Sequence, residues 1–174
     1  MKKIITIIVL IILMIVTMSK KEEVIIPKDA IRFRVIANSN DLKDQQEKKK
    51  IAKTLGNNIT KLLKNQNSLQ ETRTTLKKNI NTFTTTIQEE MKNDNYDNNV
   101  EVNYGMNYFP EKTYKGVKYK EGEYESLVVT LGKGEGNNFW CVLFPPLCLL
   151  EAEEDDTNEV EYTSFVKELI DKYF

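Results

Sequence analysis

Two spacings of apolar residues alternate along this chain. In Ala30-Ile31-Arg32-Phe33-Arg34-Val35-Ile36-Ala37, Ile31, Phe33 and Val35 alternate with Ala30, Arg32 and Arg34. That period of two predicts a half-buried strand. Asn38-Ser39-Asn40-Asp41 then stops the strand and offers helix N-cap side chains. Ile51, Leu55, Ile59 and Leu62 follow at helical spacing and predict a helix from Leu42 to about Leu63. Asp41 and Asp44 fall in its first turn, where the helix dipole favours anions. Lys48-Lys49-Lys50 is expected largely on its outer face. After the polar loop Asn65-Gln66-Asn67, Ser68 and Glu71 have the spacing of a capping box. A second helix is predicted to about Lys92, with Leu69, Leu76, Ile80, Phe83, Ile87 and Met91 inward. Two helices joined by a short loop read as a helical hairpin.

Asn93 to Asn99 breaks the helical pattern, and the period returns to two. Val100, Val102, Tyr104 and Met106 predict a strand ending at Tyr108-Phe109-Pro110. Tyr114 to Tyr119 reads as a turn or short hairpin. Glu123 to Leu131 is a further strand, with Glu121, Glu123 and Glu125 on what reads as a solvent face. Phe139 to Phe144 is a last short strand, stopped by Pro145-Pro146. Between these two strands lies Gly132-Lys133-Gly134-Glu135-Gly136-Asn137-Asn138. It lacks the Gly-Lys-Ser/Thr ending of a phosphate loop and no helix follows it, so it reads as a flexible connection. The fold class expected is α+β: an antiparallel-leaning sheet of about four strands with a two-helix hairpin packed on one face.

The N-terminus reads as an export signal. Lys2 and Lys3 precede the apolar run Ile4 to Met18, which would span ~22 Å as a helix. That is short of the ~30 Å hydrocarbon core of a bilayer and suits the apolar core of a signal peptide. Thr17-Met18-Ser19 offers small residues for cleavage, and an uncleaved anchor is the alternative. The chain then divides into residues 1–19, signal peptide or signal anchor; 20–29, a linker; 30–150, one domain; 151–159, an acidic linker; and 160–174, an amphipathic C-terminal helix. That last helix either docks on the core or lies on a membrane surface.

Charge and composition narrow the chemistry. The net charge of -1 gives no basic field for phosphate contacts, so no nucleic-acid partner is expected. The chain has no His, which removes the commonest general base and most zinc sites. No catalytic residues, metal or cofactor are expected. No oligomeric state can be read. Trp140, the chain's one Trp, and Cys141 and Cys148, its two Cys, all fall in Trp140-Cys141-Val142-Leu143-Phe144-Pro145-Pro146-Leu147-Cys148. The two Cys either form a disulfide outside the cytoplasm, worth ~2.5 kcal/mol by chain entropy, or stay reduced as small buried hydrophobes. An exposed Trp-Phe-Pro-Pro corner would suit a partner anchor.

Two blocks carry a resemblance. The first is Ile31 to Ser39, continuing to Asp44-Gln45-Gln46 and Lys49. The second is Gly122-Glu123-Tyr124-Glu125, the strand and glycine run, and Trp140 to Cys148. In both the chain resembles the stage II sporulation protein R family of endospore-forming bacteria. Members often have a second Trp where this chain has Phe139, and a longer acidic insertion before the tail. The resemblance implies a signalling protein made in the forespore and exported into the space between forespore and mother-cell membranes, in passing contact with a membrane. There it would activate a membrane-embedded aspartic protease that matures the mother-cell sigma factor precursor. The partner-binding residues expected are Trp140, Phe144, Pro145 and Pro146, with Asn38, Ser39 and Asp44 from the first block. A cell-wall hydrolase and an anchored structural adaptor are the rival expectations.

Overall fold

The structure, a computed structural model, describes residues 24–66, 68–148 and 159–174. The export segment and residues 151–158 of the acidic linker lie outside the described residues. In chain order the elements are β1 (Val24–Ile25), β2 (Ile31–Ile36), α1 (Leu42–Leu63), α2 (Leu69–Lys78), α3 (Ile80–Asn93), β3 (Val100–Phe109), β4 (Lys112–Tyr114), β5 (Val117–Tyr119), β6 (Gly122–Leu131), β7 (Asn138–Phe144) and α4 (Glu159–Tyr173).

Alternation on the strands and stripes on the helices meet in the main core. Ile31, Phe33 and Val35 of β2 and Leu127, Val129 and Leu131 of β6 pack against the helices. On α1 the buried apolar positions are Ile51, Ala52, Leu55, Ile59 and Leu63, whereas Leu62 is exposed. The contact follows the four-residue ridge of the helix, which winds around its axis and brings Leu63 inward where Leu62 was expected. The predicted second helix is two helices. Asn79 divides α2 from α3, its Nδ2 donating to the carbonyl of Thr75 at 2.8 Å. Such local bonding competes with the helical ladder. Ser68 caps α2, its Oγ accepting from the N–H of Glu71 at 3.2 Å. Asp41 stands at the N-cap of α1, but its side chain makes no capping bond.

The sheet corrects the expected topology. Its order is β3-β6-β2-β7, and it is mixed: β2 runs parallel to β6 and antiparallel to β7. The arms β6 and β7 would be neighbours in a plain hairpin, but β2 is inserted between them. The glycine run must therefore cross the end of β2, spanning two strand spacings, ~10 Å. It lies directly on that strand's exit, with Gly136 N–H donating to Ala37 O at 2.9 Å and Glu135 N–H to Asn38 O at 3.1 Å. A Cβ on Gly136 would collide with the Ser39 carbonyl, and one on Gly132 with the Asn38 side chain. The glycines are there for close approach rather than for flexibility.

A second sheet, β1-β5-β4, pairs β1 parallel to β5 and β5 antiparallel to β4. The β4–β5 turn holds Lys115 and Gly116 at φ of 43° and 77°, the positive pair that a tight type I′ hairpin requires. This sheet and α4 enclose a smaller core of Val24, Ile26, Ala30, Val117, Val142, Leu147, Tyr162 and Val166. The α4 helix thus docks on the domain. Val24 and Ile26, in the segment read as a linker, are buried there. Part of the outer face of the main sheet is therefore covered: Arg32, on that face, is 3% exposed, whereas Glu101 and Asn103 on β3 stay exposed.

Candidate functional site

Where the two sheets meet, the covered face opens into a cleft of about 320 Å³ lined by Arg32, Phe109, Lys112, Tyr119, Asn138 and Trp140, among others. The register explains the assembly. Arg34 and Trp140 are direct cross-strand partners on β2 and β7. The outward positions of β2 are Arg32 and Arg34, set against aromatic rings from its neighbours. The guanidinium carbon of Arg32 lies 3.6 Å from the ring centre of Tyr124 and 5.1 Å from that of Phe109. That of Arg34 lies 5.0 Å from Phe109 and 5.3 Å from Trp140. Phe109 and Trp140 meet edge to face at 5.2 Å, and Lys112 Nζ is 5.8 Å from the Trp140 ring. Cations over aromatic faces gain from the ring quadrupole, more so when water is excluded.

The charge of the cleft is one-sided. Arg32 donates from Nη2 to Lys120 O at 3.2 Å and Arg34 from Nη1 to Tyr108 O at 3.5 Å. The buried Nε of each has no acceptor among the described residues, and the Oδ1 of Asn138 has no donor. Among the described residues no carboxylate pairs with Arg32, Arg34 or Lys112. Burial holds both guanidiniums below the usual arginine range, with Tyr124 and Tyr119 pulling Arg32 partly back. Lys48 was expected outside, yet it is buried beneath the glycine run. Its Nζ donates to Gln45 Oε1 at 2.7 Å and Asn137 O at 3.0 Å. Burial, then repulsion from Lys49 and Lys112, lowers its pKa.

The expected site residues separate into three groups. Trp140 lines the cleft. Phe144 and Pro145 are buried, the Phe144 ring lying 5.1 Å from that of Tyr173 on α4. In this arrangement neither presents a surface to a partner. Pro146 is partly buried, beside Cys148, Leu63 and Tyr173. Cys141 and Cys148 are joined in a disulfide with Cα atoms 5.5 Å apart, and it closes the Pro-Pro corner.

Asn38, Ser39 and Asp44 form a clamp at the end of β2. Asn38 Nδ2 donates to Asp44 Oδ2 at 2.8 Å, while its Oδ1 accepts from Lys133 N–H at 3.0 Å. Tyr96 donates to the other Asp44 oxygen at 2.7 Å. Burial would raise the Asp44 pKa, but hydrogen bonds from Ser39, Tyr96 and Asn38 outweigh it and hold the carboxylate below its usual range. The Ser39 carbonyl accepts from Gln45 Nε2 at 2.8 Å. The clamp seats the glycine run and with it the start of β7, two residues before Trp140. Glu125, read as solvent-facing, accepts from Arg73 at 2.6 Å and Tyr104 at 2.9 Å.

Sequence reasoning missed the cleft's cations and most of its rings. The signal available was Arg32 and Arg34 at alternate positions of an otherwise apolar strand. Their partners Phe109 and Tyr124 come from strands whose pairing the sequence does not declare.

A family model described as stage II sporulation protein R matches residues 27–154. The chain is also similar to stage II sporulation protein R of Bacillus subtilis (strain 168), at 38% identity over 130 residues, covering 75% of this chain and 58% of that protein. The match thus spans little more than half the length of that relative. No solved structure matches.

Proposed function

From the premise that the chain belongs to the stage II sporulation protein R family, and so has a role in sporulation, we propose that it is a secreted signal acting through binding. Its partner is a membrane-embedded aspartic protease of the mother cell, whose activation matures the mother-cell sigma factor precursor. The place of action is the space between the forespore and mother-cell membranes, reached through the N-terminal export segment. The observation that carries the reading is the setting of Trp140. The chain's one Trp sits in an aromatic cleft beside two guanidiniums, Arg32 buried and Arg34 half-buried, that no carboxylate of the described residues neutralises. Desolvated aromatic and arginine side chains are what binding hot spots are made of. A ligand of this kind shifts the protease toward its active arrangement only by binding that arrangement more tightly.

The test is reconstitution of the protease and precursor with the purified chain. Precursor cleavage is expected with the parent chain and is expected to fall at least ~10-fold with Trp140→Ala, the loss of one hot-spot side chain. Far-ultraviolet circular dichroism should show both chains folded. Full activation by the folded variant would overturn the assignment of Trp140, and cleavage independent of the added chain would overturn the activator role.

A further inference from the structure

We propose that the cleft is a receptor for a carboxylate on an extended polypeptide segment, an Asp or Glu side chain with an apolar neighbour. Arg32 inside the cleft and Arg34 at its flank, against the Phe109 and Trp140 rings, take the charge, and those two rings take the neighbour. The inference rests on the reading of this chain as a signal that docks through the Trp140 face.

Three observations select that chemistry. The first is charge: Arg32 is 3% exposed and its Nε, like that of Arg34, has no acceptor among the described residues. A buried cation left without an anion is costly, and a carboxylate supplies both the charge and the acceptor atoms. A planar carboxylate also fits the guanidinium fork better than a single-point acceptor does. The second is shape: at about 320 Å³, walled by Phe109 and Trp140, the cleft is at the small end of ligand-sized pockets and suits a few side chains. The third is Asn138, whose buried Oδ1 has no donor. It lies at the start of β7, which is an edge of its sheet. A peptide N–H satisfies such an acceptor, whereas a phosphate dianion carries no donor at all.

Trp140 makes the test direct, because any emission change reports from the cleft itself. The full chain is titrated with the acetylated, amidated tetrapeptide Ala-Glu-Phe-Ala, with Ala-Gln-Phe-Ala, with inorganic phosphate and with phosphatidylglycerol vesicles. A saturable emission change is expected with the Glu peptide. The Gln peptide is expected to bind at least ~10-fold more weakly, the scale of one hydrogen bond to a charged group. Arg34→Gln should bring the two peptides to within ~3-fold of each other, and the exposed Lys112→Gln should weaken only the Glu peptide; thermal melting monitors the folding of both variants. No saturable change with the Glu peptide, equal binding of the two peptides to the parent, or a response to phosphate or vesicles in place of the peptide overturns the proposal. Failure of the activator role looks different: the Glu preference persists while precursor cleavage ignores the chain.

Discussion

At Glu47 the fold changes the acidity of a single side chain. It is buried on α1, and its pKa is pushed from the ordinary 4.5 to about 7. Burial is the largest cause, followed by the neighbouring carboxylate of Asp94, to which it is hydrogen-bonded. Asp94 is itself held by Lys50 at 2.6 Å, which also reaches Glu90 at 2.9 Å. Because the folded pKa lies above the unfolded one, the folded chain keeps a proton that the unfolded chain releases between pH 4.5 and about 7. Stability from this site is therefore highest below that window and falls as the pH rises through it. Glu47→Gln preserves a donor toward Asp94 and carries no charge. It is expected to be more stable than the parent at pH 8 by on the order of 1–3 kcal/mol, with the difference vanishing near pH 4. Urea midpoints at the two pH values check this, and an unchanged difference across the range refutes it. Nothing in the local sequence marks Glu47, since its burial depends on where α3 ends.

Among the elements, α4 is the one whose spacing left two outcomes open. Its apolar stripe suits a membrane surface or a protein core equally, because either solvent rewards the same burial. In the structure Val166 and Tyr162 of α4 complete the smaller core with Val24, Ile26 and Leu147. Val166→Asp places an unpaired charge in that core and is expected to cost ~2–4 kcal/mol. The urea midpoint should fall, and limited proteolysis should remove the C-terminal helix first. An unshifted midpoint would mean that α4 contributes nothing to the fold. Other elements were legible nearly to the residue: α1 runs from Leu42 to Leu63 because the polar break before it and its apolar stripe are local properties. The division at Asn79 was less visible, since one Asn within an otherwise continuous stripe does not announce a break.

At the scale of the molecule, the decisive feature is the insertion of β2 between β6 and β7. It makes the sheet mixed, sends the glycine run across the end of β2, and sets Arg34 against Trp140. Gly136→Ala tests it. The added methyl meets the Ser39 carbonyl, and the crossing has no slack. A loss of ~2 kcal/mol or more is expected, read as a lowered thermal midpoint, whereas a flexible surface turn would absorb the methyl at no cost. The same insertion explains why Asn38 and Asp44, expected at a partner surface, spend their hydrogen bonds on the chain itself.

The sequence by itself determined the strands, the helices and the main core stripes, because spacing, caps and turn chemistry act within a few residues. It also marked Trp140 to Cys148 as a special segment and supplied the two blocks of family resemblance. What it could not determine was which strands stand side by side. Pairing is a long-range choice, and a strand of given spacing fits a parallel or an antiparallel neighbour equally well. Only the tertiary structure turned Phe144 inward, buried Arg32, and set Arg32 and Arg34 among rings from other strands. It thereby made the cleft, whose lining comes from several segments of the chain and whose cations no carboxylate of the described residues neutralises.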